Sequence, residues 1–278
     1  MSKEVSDRLW AIIEPLLEPF KRTRRGGSKA LPFRRILNGI LYLLKTGCQW
    51  DMIPRCYGSK STLHEHFQRW VNSGVFERIF RLCLEEYDEL KKIAWTWQSM
   101  DGSISQAPTR QAGAASAARE GLGRNPTDRG RQGTKLHLLV DRGGIPLGVE
   151  IVGANVHDSR LVSSTLSTVA IERPLPTPEF AQNLSLDKGY DYARVEKEVL
   201  QHKYQPHIRR IGEEKLDETM EKVHPARRWV VERTFAWFKG FRAIRTRYTC
   251  KASNFLAMVQ LTAALIVFRA AHPKGIWA

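Results

Sequence analysis

Three acidic residues stand where acids are otherwise sparse. Asp101 closes the apolar run "IAWTWQSMD", Asp187 closes "NLSLD", and Glu232 is the one acid in the basic, aromatic segment "RRWVVERTFAWFKGFRAIRTRY". Carboxylates of this kind, converging from different elements, suit phosphodiester chemistry. Mg²⁺ prefers hard oxygen ligands, keeps several waters and binds phosphate oxygens. Two such ions about 4 Å apart would activate an attacking oxygen and stabilise the leaving one. On a helix, Arg228, Glu232 and Lys239 fall within roughly 40° of one another, beside an apolar arc of Val231, Phe235, Phe238 and Phe241. Glu232 is therefore expected at the edge of the core. Two readings of it stay open from the residues alone. One is an ordinary Arg228–Glu232 helix pair, worth a few tenths of a kcal/mol; the other is a metal ligand.

Other acids and histidines read as structural. Asp158 in "HDSR" is expected to cap a helix, Asp141 in "VDRGG" to make a hairpin turn, and Asp191 follows the turn at Asp187 instead of ending its strand. His64 and His66 form an HxH pair without a nearby third ligand, which suits a helix surface or DNA contacts more than a metal.

The chain has 278 residues, with 44 Lys plus Arg against 29 Asp plus Glu and a net charge of +15. Such an excess favours a polyanionic partner. It recurs in "KRTRRGGSK", in "RGRQGTK" with Arg131 and Lys135, in "HIRRIG" and around Arg233, which describes a track more than a tail. The four cysteines, Cys48, Cys56, Cys83 and Cys250, contain no CxxC pair, which argues against a zinc site or a disulfide framework. The first residues lack a signal-peptide pattern, and "FLAMVQLTAALIVF" is too short for a bilayer and reads as a buried core helix. The expectation is a soluble, cytoplasmic, nucleoid-associated protein with no membrane partner.

Elements must position these groups. Residues 1–92 read as a helical DNA-binding region. "SDRLWAIIEPLL" follows a capping Ser6 or Asp7, and "PFRRILNGILYLLKTG" runs from Pro32 to a stop at Gly47. Two further helices break near Asn72-Ser73-Gly74, with Ser61 or Thr62 and Glu65 as a capping box. The helix bearing His64 and Arg69 could be the reader of a helix-turn-helix; a plain packing bundle is the alternative. From residue 93 to 278 the pattern is strand, hairpin, helix, strand, helix, strand, long helix, an α/β layer with helices on a mixed sheet. Residues 102–133 read as a basic mobile loop. Asp101 and Asp187 both end strands, where open sheets present catalytic groups.

These blocks, in this order, resemble the IS5 group of insertion-sequence transposases within the IS4-like class. "ILNGILYLLKTGCQWDMIP" and "STLHEHFQRWVNSGVFERI" are similar to the family's N-terminal region. "MDGSISQA", "GTKLHLLVDRGGIPLGVEIVGANVHDS", "LDKGYD" and "RRWVVERTFAWFKGFRAIRTRY" are similar to its catalytic blocks. The resemblance implies an RNase H-like fold, with Asp101, Asp187 and Glu232 as the metal-binding DDE triad and Arg228 and Lys239 as the basic residues of the Y-R-E-K signature. The signature tyrosine falls at Pro225, a departure; Trp229 or Trp237 is the substitute at hand. It also implies Mg²⁺ (Mn²⁺ substituting) at two ions per site, double-stranded DNA as partner, and a homodimer or higher oligomer on DNA. Arg228, Lys239, Arg233, Lys135, Arg131, Arg69 and His64 are the expected DNA contacts. A DNA-binding relative without catalysis, or a nuclease without strand transfer, is the alternative.

Overall fold

In a computed structural model, residues 4–21, 30–108, 118, 120–208, 228–273 and 275–276 are described. The chain divides into two compact units, one of residues 1–91 with 238–278 and the other of residues 92–237. The expected single boundary at 92/93 therefore meets a second one at 237/238, and the C-terminal residues group with the helical unit.

The helical unit follows its sequence signals closely. Helix α1 (Asp7–Leu17) starts at Ser6, whose hydroxyl accepts from the Leu9 amide at 3.4 Å. Its Leu9, Ile13 and Leu17, one turn apart, are buried. Helix α2 (Phe33–Thr46) starts after Pro32 and stops at Gly47 in the left-handed conformation, φ 66°. Helix α3 (Lys60–Asn72) is capped by Ser59, which accepts from the Thr62 amide at 3.2 Å. The cap thus lies two residues before the Ser61 expected, because Ser59 sits where the backbone is still extended. Helix α4 (Val75–Lys91) follows the left-handed Gly74. The chain returns to this unit at the end of α7 (Arg228–Lys239), then through α8 (Arg242–Arg245) and α9 (Ala252–Ala271). Helix α9 is long and apolar enough to cross a membrane by length and composition, but most of it is buried here, and it packs along α4. That burial is why it joins the helical unit.

The second unit is a mixed sheet of β1 (Trp97–Gln106), β2 (Gly123–Arg124), β3 (Gln132–Asp141), β4 (Pro146–Gly153), β5 (Asn183–Leu186) and β6 (Gln205–Ile208). Strand β3 lies between β1 on one side and β2 and β4 on the other, all antiparallel; β5 and β6 continue beyond β1 in parallel. This is the mixed sheet expected. Its connections include α5 (Val162–Leu166) and α6 (Ala193–Gln201). Two expectations change. Residues 102–106 extend β1 and 123–124 form β2, so these parts of the expected mobile loop are sheet; residues 109–117 lie outside the described residues. The long final helix is interrupted at Gly240-Phe241, where Phe241 is extended (φ −90°, ψ 111°) and only half-buried.

Gly47 is needed for two reasons. Its φ of 66° disfavours any side chain, and a methyl there would come within 3.0 Å of Arg242 Cβ. Gly47→Ala should lower unfolding stability by about 1–3 kcal/mol, read from denaturant midpoints at unchanged slope. A midpoint equal to wild type would refute that accounting.

Candidate active site

Strand register brings the two aspartates together. β1 and β5 run parallel, with Trp97 opposite Asn183, Gln98 opposite Leu184 and Ser99 opposite Ser185. Two residues further on each chain come Asp101 and Asp187. With neighbouring strands about 4.8 Å apart and side chains alternating, they stand level on one face. Asp101 is half-buried, and its Oδ1 accepts from the Gly102 amide at 2.8 Å. Asp187, the first residue past β5, caps a 3₁₀ turn (Lys188–Tyr190) and accepts from the Gly189 amide at 2.8 Å. Asp191 ends that turn.

The opposite face of the sheet holds this pair in place. Gly102 is opposite His137 in the β1–β3 register. A Cβ on Gly102 would lie 2.0 Å from Asp158 Oδ1, so the residue after Asp101 is glycine for want of room. Buried His137 joins Tyr190 Oη to Nε2 at 2.7 Å and Thr165 Oγ1 to Nδ1 at 2.7 Å. The Thr165 hydroxyl donates to Glu150 Oε2 at 2.8 Å. That leaves Nδ1 to donate to Thr165 and Nε2 to accept from the tyrosine hydroxyl, which sets the neutral Nδ1–H tautomer. Through Tyr190 the network grips the turn that carries Asp187. Sequence reasoning missed it; the available signal was a histidine inside "TKLHLLVD", a strand with nearly every residue buried.

Two expected DNA contacts, Lys135 and Arg233, are engaged within the fold. Lys135 is buried, with Nζ 3.0 Å from Asp158 Oδ2 and donating to the Val156 carbonyl at 2.5 Å. Asp158 thus pairs with Lys135 instead of capping; His157 is the cap of that turn, accepting from the Ser159 amide at 3.3 Å. Arg233 donates to the Gly143 carbonyl at 2.6 Å and lies between Trp229 and Trp237, 4.8 and 5.0 Å from their ring centres. With Thr234, whose hydroxyl donates to the Gly144 carbonyl at 2.7 Å, it fastens α7 to the β3–β4 turn. Asp141 does make that turn, accepting from the Gly143 and Ile145 amides at 2.8 Å each. Arg131, Arg69, His64 and Lys239 are exposed. Arg131 pairs loosely with Asp128 at 3.9 Å, and Arg69 lies over the Phe20 ring. His66 is half-buried beside Phe33 and Trp70. The Arg228 side chain and Pro225 lie outside the described residues.

Glu232 is exposed on α7, while Val230, Val231, Thr234, Phe235 and Phe238 are buried. The expectation of a carboxylate at the core edge is corrected, because the buried arc centres on Thr234 and Phe238 and turns Glu232 outward. Among the described residues, no three His, Cys, Asp or Glu side chains gather closely enough to hold a metal ion. The aspartates are paired by register, and Glu232 is exposed on α7.

Comparison with known proteins bears on the same residues. Residues 98–267 match the family "Transposase DDE domain", and residues 5–80 match "Putative transposase of IS4/5 family (DUF4096)". The chain belongs to the DDE transposases of the IS4/5 family. It is 34% identical over 149 residues to the "Putative transposase for insertion sequence element IS402" of Burkholderia cepacia, covering 52% of this chain and 67% of that protein. An IS402 16.2 kDa protein from the same organism is 35% identical over 107 residues, covering 37% of this chain and 73% of that protein. Among solved structures, a piggyBac transposase synaptic complex with hairpin DNA matches at TM-score 0.44 and 10% identity, over 96% of this chain and 73% of that one. The Mos1 mariner paired-end complex with Mn matches at TM-score 0.29 and 10% identity, over 97% and 87%. Superpositions this loose carry no geometry for the transposase site.

Burial holds the His137 imidazole at a pKa of about 4; Asp158 opposes this shift and Lys135 adds to it. The unfolded chain, titrating near 6.5, then binds more protons than the fold between the two values. This contribution is intact above about pH 6.5 and is lost as the pH falls toward 4, on the order of 3 kcal/mol. Denaturant unfolding of wild type and His137→Gln across that range should differ by this pH-dependent component. Parallel profiles would refute it.

Proposed function

We propose that the transposase cleaves and joins DNA at a site made by Asp101, Asp187 and Glu232, with divalent metal bound by these three. What supports the reading is the β1–β5 register that sets two carboxylates level at the sheet, inside the segment matching the DDE family. Their hard oxygens suit Mg²⁺, with Mn²⁺ as substitute and two ions per site. Such ions, when bound, stabilise charge on the attacking and leaving oxygens of an in-line displacement.

The chain's own residues do the rest. Asp101 is oriented by the Gly102 amide and Asp187 by the Gly189 amide. Glu232 would complete the site from α7, where its carboxylate is exposed. The first reaction is hydrolysis. Water attacks the phosphorus at an element end, the P–O3′ bond breaks, and the strand keeps a free 3′-OH. The second is transesterification: that 3′-OH attacks a target phosphodiester, one P–O bond replacing another. The helical unit would read terminal inverted repeats, with Arg69 and His64 of α3 exposed for it. Arg228, Lys239 and Arg131 would hold phosphates and supply affinity independent of sequence. Lys135 and Arg233 serve the fold and leave this set. Two element ends handled together call for a dimer or larger assembly on DNA.

Asp101→Ala or Glu232→Ala should reduce metal-dependent nicking of element-end DNA by about 10³ or more while leaving end binding measurable. Nicking at the wild-type rate would end the assignment. Wild type that binds without nicking would be the non-catalytic relative, and nicking without joining of pre-cut ends would be a nuclease.

A further inference from the structure

The helical unit encloses a cavity of about 420 Å³ where the loop after α2, the start of α3 and the segment entering α9 meet. Lys60, His64 and Lys251 line it together with Trp50 and Tyr248. The cations converge: Lys251 and Lys60, after burial, hold the His64 pKa below its ordinary value. Lys251 is also the N-cap of the 20-residue α9, where no side-chain cap is made. Thr249 Oγ1, on the wall, is shielded from solvent and has no hydrogen-bond partner among the described residues.

The wall is built and not incidental. Arg247 is buried at 1% exposure, donates to the carbonyls of Thr249 and Cys250 at 3.0 and 2.9 Å, and lies 5.2 Å from the Phe255 ring centre. A buried guanidinium spent on two carbonyls fixes the backbone from which Tyr248 and Lys251 project. Across the cavity Gln68 donates to Asn254 at 2.9 Å, tying α3 to α9. Trp50 is braced against Phe67 and His64, with ring centres 5.2 and 5.1 Å apart. Tyr248 is 55% exposed, its ring available.

A phosphate alone would leave most of this volume empty. A concave site with cations at one end and aromatic faces beside them matches the chemistry of single-stranded nucleic acid, where phosphate meets charge and base meets ring. We infer that this cavity takes one unpaired nucleotide of the DNA, its phosphate at Lys60, His64 and Lys251, and its base on Tyr248 and Trp50. The inference rests on the proposed DNA reaction, which generates strand ends, and it moves His64 from reading the duplex to holding the phosphate of an unpaired nucleotide.

The test uses the full chain at fixed salt, comparing a blunt duplex with the same duplex carrying a one-nucleotide overhang of 2-aminopurine. The overhang should bind about tenfold tighter or more, with its fluorescence quenched. Tyr248→Ala should remove the quenching and most of the preference, and Lys251→Gln should weaken overhang binding; both side chains are exposed, so folding is spared. Equal binding of blunt and overhanging duplex by wild type would overturn the inference while leaving the transposase reading standing. A preference lost in Lys251→Gln yet kept in Tyr248→Ala would mean a phosphate site alone and would also overturn it. So would competition by inorganic phosphate equal to that by deoxyadenosine monophosphate. Absence of any DNA binding by wild type would sink both readings.

Discussion

The parallel pairing of β1 with β5 is the constraint on which the proposed site depends. It sets Ser99 against Ser185, and with them Asp101 level with Asp187. Side chains alternate along a strand, so a slip of one residue would send one aspartate to the other face of the sheet. Burial resists that slip: Gln98, Met100, Leu184 and Leu186 are all buried on the face opposite the aspartates. Packing on one face therefore holds the two acids on the other.

The polar network under the sheet works the same way. His137, Tyr190, Thr165 and Glu150 come from β3, the turn after β5, α5 and β4, and each satisfies a neighbour's donor or acceptor. A buried network of this kind stabilises only when every member is paired, so displacing the Asp187 turn would strand several groups at once. Gly102 adds a steric condition, since any side chain there would meet Asp158.

Much of the fold was legible because it is local. The left-handed stop at Gly47, the Ser6 cap, and the β3–β4 hairpin with Asp141 in its turn follow from backbone preferences within a few residues. Strand β5 does stop just before Asp187, but β1 runs past Asp101 to Gln106 because it goes on pairing with β3. The misreadings were local too, where neighbouring residues compete for one role: Ser59 over Ser61 as the α3 cap, and His157 over Asp158. The break after Lys239 escaped notice because the aromatic periodicity runs straight through Gly240 to Phe241.

The order of strands and helices, the positive charge and the family of the chain were all determined by the sequence alone, since periodicity, composition and motif order are properties of a line. Which segments meet was decided only in three dimensions. The tertiary structure committed Lys135 to Asp158 and Arg233 to the hairpin turn, left Glu232 exposed on α7, and returned residues 238–278 to the helical unit to wall a cavity with residues 43–68. A lysine on a strand looks the same in sequence whether it faces DNA or a buried carboxylate. Only the contacts made by distant parts of the chain remove water from one and leave it on the other.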